Sequence, residues 1–333
     1  MSRITATSIR SLAVAALMLA AVTACQKDGP VEPAQHPEAR VAATDSSAAG
    51  IKNKPVFYFN GIMFTGTHQQ SQGEIYSMNP DGSGVFRLTN DDVMDYMPDV
   101  SPKGPSFVWV RFAPGGLSSE LYTQNLDGSK RKRLTYLNTV VLSPRYSPDG
   151  TKIAFEAGIA GGGVEVFTMI SDGTGIGQLT NSGKNSQEPD WSPDGSKIVY
   201  QSNDANGIPA IWVMDASGSN PKMLVSCPAP GCGRPAWSPV ANEIAIERID
   251  GSGIFVVDAT TGAQTGYIPS SNFDVMPVWS KDGKKIIFSS YRGGNNTYDL
   301  FATEPLRGGV TAPPPVVRLT TFDGNELWAA YSR

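Results

Sequence analysis

The chain has 333 residues, 40% of them hydrophobic and 17% charged, with a formal net charge of -4. That balance fits a folded globular protein, and no basic stripe marks a nucleic-acid surface. Glycine (35) and proline (25) are abundant, as in all-β chains with many tight turns.

The N-terminus reads as a targeting segment over residues 1–24. Arg3 and Arg10 give a basic start, and Ser11 to Ala24 is mostly Ala, Val and Leu. This run is shorter than the roughly 20 apolar residues a membrane span needs, so it fits a secretory signal. It ends in Val22-Thr23-Ala24-Cys25, which resembles a bacterial lipobox. That resemblance implies that Cys25 is lipidated and becomes the mature N-terminus. The other reading is cleavage near Ala24 with Cys25 incidental. Gln26 after the cysteine points to outer-membrane delivery by analogy with Gram-negative sorting.

Residues 25–54 are rich in Ala, Pro, Ser and Glu and show no hydrophobic periodicity. Such a segment cannot bury enough apolar surface to fold. It reads as a disordered tether, reaching roughly 30 Å on average.

From residue 55 to 333 a unit of roughly 45 residues recurs, the mark of a propeller or solenoid. A segment like PxWSPDG is followed by KIxF, then IYxMxxDG, then RLT. The third-strand motif begins at Ile75, Leu121, Val166, Ile211, Ile254 and Leu300. Asp-Gly pairs after it signal hairpins, because Gly accepts positive φ. Ser-Pro-Asp-Gly, at Ser147 and Ser192, fits a type I turn. The aromatic before the serine (Tyr146, Trp191, Trp237, Trp279) is expected to wedge between neighbouring sheets. Arg-Leu-Thr closes the fourth strand at Arg87, Arg133 and Arg318, with Gln178 as a variant. The basic run Lys130 to Arg133 reads as a solvated edge strand.

The two ends supply complementary parts. Glu326 to Ser332 matches a first strand and then stops, and Pro55 to Phe59 matches a second strand without a first. The expectation is an all-β, six-bladed β-propeller of four-stranded antiparallel blades, closed by pairing of the terminal strands. Closure leaves only short sheet edges.

Cys227 and Cys232, in CPAPGC, are expected to form a disulfide in an oxidising envelope. Two thiols without a nearby His or Cys make a poor zinc site. Of the two histidines, His36 falls in the tether and only His68 in the repeats. A Ser-His-Asp triad would have to use it, and no Gly-x-Ser-x-Gly elbow occurs. No catalytic residue, metal site or cofactor is assigned. Asp95, Asp274 and Asp323 lie three residues before the proline of PxWSP or its equivalent, with Glu188, Glu326 and Arg234 close by. If these loops share one face, they form an acidic channel mouth that attracts a cation or basic segment. The other reading is that each Asp bonds its own turn.

The motif PxWSPDGxxIxF…IYxMxxDGxxxxxLT over residues 55–333 resembles the TolB-like β-propeller repeat family. The resemblance implies a periplasmic propeller that docks a protein at one mouth of its channel. The expected function is a lipid-anchored module in the cell envelope that binds a protein or peptide, located at the periplasmic face of the outer membrane. The alternative is an envelope hydrolase or lyase working on carbohydrate or peptide through an acidic, metal-binding mouth. Related six-bladed lyases use several histidines around a metal, which this chain does not supply.

Overall fold

Each repeat places an aliphatic residue one or two positions into its third strand, and each of these is sealed from water. Ile75, Leu121, Val166, Ile211, Ile254 and Leu300 all have 0% exposure. Burial of one such side chain contributes about 1.5–3 kcal/mol, so the repeat pattern is itself the core pattern. The structure, a computed structural model, describes residues 61–67, 73–270, 273–294, 297–308, 313–321 and 324–331. Cys25, His68, Asp323, the signal, the tether and the strand expected at 55–59 lie outside these residues.

The described strands form six antiparallel sheets. The innermost strands are Asp95–Val100, Val141–Tyr146, Gln187–Trp191, Cys232–Trp237, Val275–Trp279 and Glu326–Tyr331. We number their blades 1 to 6 in that order. Each innermost strand touches the next, and the sixth touches the first, so the ring is closed. Blade 6 combines both ends of the described chain: Glu326–Tyr331 pairs with Ile62–Gly66, which pairs with Glu74–Met78, followed by Phe86–Arg87.

Closure by the terminal strands is therefore observed, and the partner strand is Ile62–Gly66. In blade 2 the second-strand Ile153 stands thirteen positions before Val166, and in blade 3 Ile198 stands thirteen before Ile211. The same interval before Ile75 lands on Ile62.

The serine-preceding aromatics are wedges. Trp191, Trp237 and Trp279 are 2%, 5% and 3% exposed, each packed among residues of its own and the preceding blade. The Trp191 indole donates to Arg145 O at 3.1 Å, and that of Trp279 to Ala236 O at 3.0 Å. Asp99 and Asp190 add links between blades by accepting from the backbone N–H of Tyr146 and Trp237, both at 2.7 Å.

Arg-Leu-Thr is the second half of a clip whose first half is an acid heading the third strand. In blade 1 the Arg133 guanidinium bonds Glu120 Oε1 at 2.7 Å. The Thr135 hydroxyl donates to Glu120 Oε2 at 2.5 Å and accepts from Leu121 N–H at 2.9 Å. Blade 6 repeats this with Glu74, Arg87 and Thr89. Blade 2 uses Glu165 and Thr180, with glutamine in place of the arginine. Blade 5 uses Asp299 and Arg318.

Blades 3 and 4 carry Ala210 and Gly253 where the acid would stand, and neither has the Arg-Leu-Thr. Other devices hold them. The connection out of blade 3 carries the Cys227–Cys232 disulfide. Blade 4 has a long outer strand, Gln264–Pro269, covered by a fifth strand, Leu306–Arg307, lent from blade 5. Arg307 locks it by two bonds to Glu243, at 2.5 and 2.8 Å. The borrowed strand covers an edge that would otherwise be open to pairing with another chain.

The basic run is a solvated edge, as expected, with Lys132–Arg133 the outermost strand of blade 1, and three of its residues are also tied to the protein. Arg131 bonds Gln124 and Asp91, Lys132 donates to Asp172 O, and Arg133 belongs to the blade 1 clip.

Candidate functional site

All six innermost strands bulge at the same place, where their ladder register shifts. At each bulge one residue that is not glycine takes a left-handed backbone: Met97, Ser143, Glu188, Arg234, Met276 and Trp328, with φ between 47° and 57°. This conformation costs a non-glycine residue about 1–2 kcal/mol. Six repetitions at one register mean that the surrounding structure enforces it. In blades 1 to 5 the residue directly precedes proline, whose ring disfavours the ordinary helical alternative.

In blades 1 to 5 the bulge turns the residue's N–H out of its own sheet, and an acceptor from the preceding blade receives it. Met97 N–H donates to Thr65 Oγ1 at 3.2 Å, Ser143 N–H to Met97 Sδ at 3.4 Å, and Glu188 N–H to Glu156 Oε2 at 2.5 Å. Arg234 N–H donates to Glu188 Oε2 at 2.9 Å, and Met276 N–H to Glu247 Oε2 at 2.7 Å. These six residues form a collar on the innermost circle, five of them tied to the preceding blade through their N–H, nearer the end at which those strands begin.

The collar is chemically divided. Met276, Trp328 and Met97 follow one another around the ring and make an apolar arc. Ser143, Glu188 and Arg234 follow in turn and make a polar arc. Trp328 is braced edge-on by Tyr96, with ring centres 5.4 Å apart. Arg234 is held by Glu247 Oε1 at 2.6 Å and Glu188 Oε1 at 3.2 Å. Burial, with the nearby Glu188 carboxylate adding to it, pushes the Glu156 carboxyl up to about 8. Burial likewise raises Glu247, and Arg234 opposes that shift.

Of the residues expected at a mouth, Glu188 and Arg234 stand in this collar. Asp95, Asp274 and Glu326 do not. They head the innermost strands or lie just before them, are 0%, 0% and 1% exposed, and face inward between strands. Asp95 is gripped by Arg111 at 2.8 and 2.7 Å, and Asp274 by Arg292. Their partners are arginines on the same blade, so neither the open-mouth reading nor the own-turn reading describes them. The turn reading does describe Asp149 and Asp194, whose carboxylates accept from their own Ser-Pro-Asp-Gly turns and are held down at about 2 by those bonds.

A second depression lies toward the other end of the channel, lined by Asp99, Arg145, Asp190, Trp237, Trp279 and Lys281 among others. Among the described residues no group of three His, Cys, Asp or Glu side chains is placed to hold a metal. Sequence reasoning missed the collar, although its signal was present: the residue directly before the recurring proline.

The family model for the TolB beta propeller domain matches residues 52–229. No curated protein matches the sequence. Among solved structures, TolB from Acinetobacter baumannii superposes with a TM-score of 0.69 at 19% identity, over 82% of this chain and 67% of that one. A structure of a nidogen–laminin complex gives a TM-score of 0.66 at 9% identity, over 82% and 98%. An oligogalacturonate lyase in complex with manganese gives 0.50 at 15% identity, over 74% and 86%. At these identities the likeness is one of fold.

Proposed function

This chain belongs to the TolB β-propeller family, and on that premise we propose that it is a non-catalytic binding module of the bacterial cell envelope, anchored through a lipid on Cys25. Its partner is a protein or peptide. The observation that carries this reading is the divided collar. Five kinds of side chain at six equivalent positions suit one asymmetric ligand and would not repeat a metal-binding or catalytic group around the axis. Met276 and Trp328, the half-buried members of the apolar arc, offer contact to an apolar side chain, and the polar arc centred on Glu188 faces them across the ring. Aromatic and methionine surfaces flanked by a few fixed polar groups are typical of ligand sites.

The test is affinity capture from detergent-solubilised envelope with wild type, Glu188→Gln and Met276→Lys. Loss of the same partner from both variants, with unfolding midpoints unchanged, is expected. Unchanged partners would overturn the collar reading, and cleavage of an envelope polysaccharide or peptide by the wild type would overturn the non-catalytic one. Cys25→Ser should move the protein from the membrane fraction to the soluble one; continued membrane binding would refute the anchor.

A further inference from the structure

Glu326 opens the closing strand in the place that Asp95 holds in blade 1. Both are tied at the backbone in the same way: Asp95 N–H donates to Gly73 O and Glu326 N–H to Tyr298 O, each at 2.8 Å. Across the ladder from Asp95 stands Arg111, which neutralises it. Across from Glu326 stands Gly66, which has no side chain to do so. The Glu326 carboxyl is nevertheless carried into the interior, at 1% exposure.

What it meets there is Asp299, at 0% exposure, the head of the third strand of blade 5. Asp299 is one methylene shorter than the glutamates of the other clips. Thr320, which still accepts from Leu300 N–H, sends its own hydroxyl proton to Glu326 Oε2 at 3.2 Å. Asp299 Oδ2 takes the Arg318 guanidinium at 2.7 Å. That leaves Asp299 Oδ1 and Glu326 Oε1, both shielded from water and both without a donor. The two carboxyl groups are within hydrogen-bonding reach of each other. Two buried carboxylates facing one guanidinium are not sustainable, and a single proton between them satisfies both orphan oxygens.

We propose that the propeller closes over a shared proton: Asp299 and Glu326 form an acid–carboxylate clasp at the seam, which makes the closing strand a latch that loosens in alkali.

The charged and titratable groups around the clasp are Arg318 on the fourth strand of blade 5 and, from blade 6, Tyr76 with Glu74 and Arg87 beyond it. Burial first, and the Asp299 charge second, push Glu326 up to about 9. The unfolded carboxyl releases its proton near 4.5, while the folded one keeps it until about 9. Between those values the folded chain binds more protons than the unfolded chain, so stability is greatest at the acid end and falls as pH rises. The pair titrates as a unit, so the proton is assigned to the clasp.

The test uses the full folded chain and infrared difference spectra of wild type minus Glu326→Gln, in which other buried carboxyls such as Glu156 cancel. A protonated-carboxyl C=O band is expected at pH 7 and should vanish above about pH 9. In parallel, the wild-type unfolding midpoint should fall from pH 6 to 9 more steeply than that of Glu326→Gln. If Glu326→Gln fails to fold, Asp299→Asn serves in its place, because it leaves Glu326 facing Arg318 and should likewise lose the band. Absence of the band from wild type, or its persistence in the variant, would overturn the clasp; so would identical pH slopes.

Discussion

Thr135→Val tests the logic of the Arg-Leu-Thr clip. Thr135 is wholly buried, and its hydroxyl makes one bond to the Glu120 carboxylate and one from Leu121 N–H. Valine keeps the shape and removes both. A bond to a charged group contributes about 1.5–3 kcal/mol, and a buried N–H left unpaired costs about 1–3 kcal/mol. Relaxation recovers part of this, leaving a destabilisation of about 3 kcal/mol. In a domain of this size that lowers the unfolding midpoint by about 6 °C. Thr135→Ser keeps the hydroxyl and gives up one methyl, about 0.8 kcal/mol. The assay is urea unfolding of both variants, with hydrogen exchange at the Leu121 amide. The serine variant should keep that amide protected and the valine variant should expose it. If valine is as stable as serine, the clip is incidental and the motif must be explained otherwise.

Other consequences follow from the devices that replace the clip. Replacing Cys227 and Cys232 by serine should destabilise by about 2 kcal/mol, since the loop they close is short, with faster exchange confined to the blade 3–4 connection in hydrogen-exchange mass spectrometry. Arg307→Ala removes a part-exposed ion pair and should shift the unfolding free energy by less than about 1 kcal/mol. It should nevertheless unprotect the amides of Gly266 and Tyr267, which the borrowed strand covers; unchanged exchange there would mean the strand holds without its lock.

Much of the fold was legible because each blade repeats the same physical solution. Asp-Gly turns, wedge aromatics and buried aliphatics recur at fixed intervals, and each is a local requirement of a four-stranded blade. The N-terminal second strand is the exception: Pro55 to Phe59 has the right apolar pattern, but the interval to the third-strand motif singles out Ile62, where the strand begins. The partnership of acid and Arg-Leu-Thr was also visible: where Ala210 or Gly253 replaces the acid, the Arg-Leu-Thr is gone.

The site was less legible because charge drew attention to the wrong register. An acid three residues before the proline heads its strand, or lies just before it, where Asp95 and Asp274 meet arginines within their own blades. The residue adjoining the proline is the one the bulge places on the inner circle. Its identities, from methionine to arginine, share no chemistry that a motif could register. What they share is a backbone conformation, and that arises from the packing of neighbouring blades.

Cross-linking the two ends of the ring is the most direct measurement. Met63 and Ala330 face each other across the closing pair. In Met63→Cys/Ala330→Cys, mild oxidation should give an intramolecular disulfide. It would close a loop of nearly the whole folded chain and raise stability by as much as about 5 kcal/mol. Free thiols, or bonds only between molecules, would show that the terminal strands do not pair and that the ring is open.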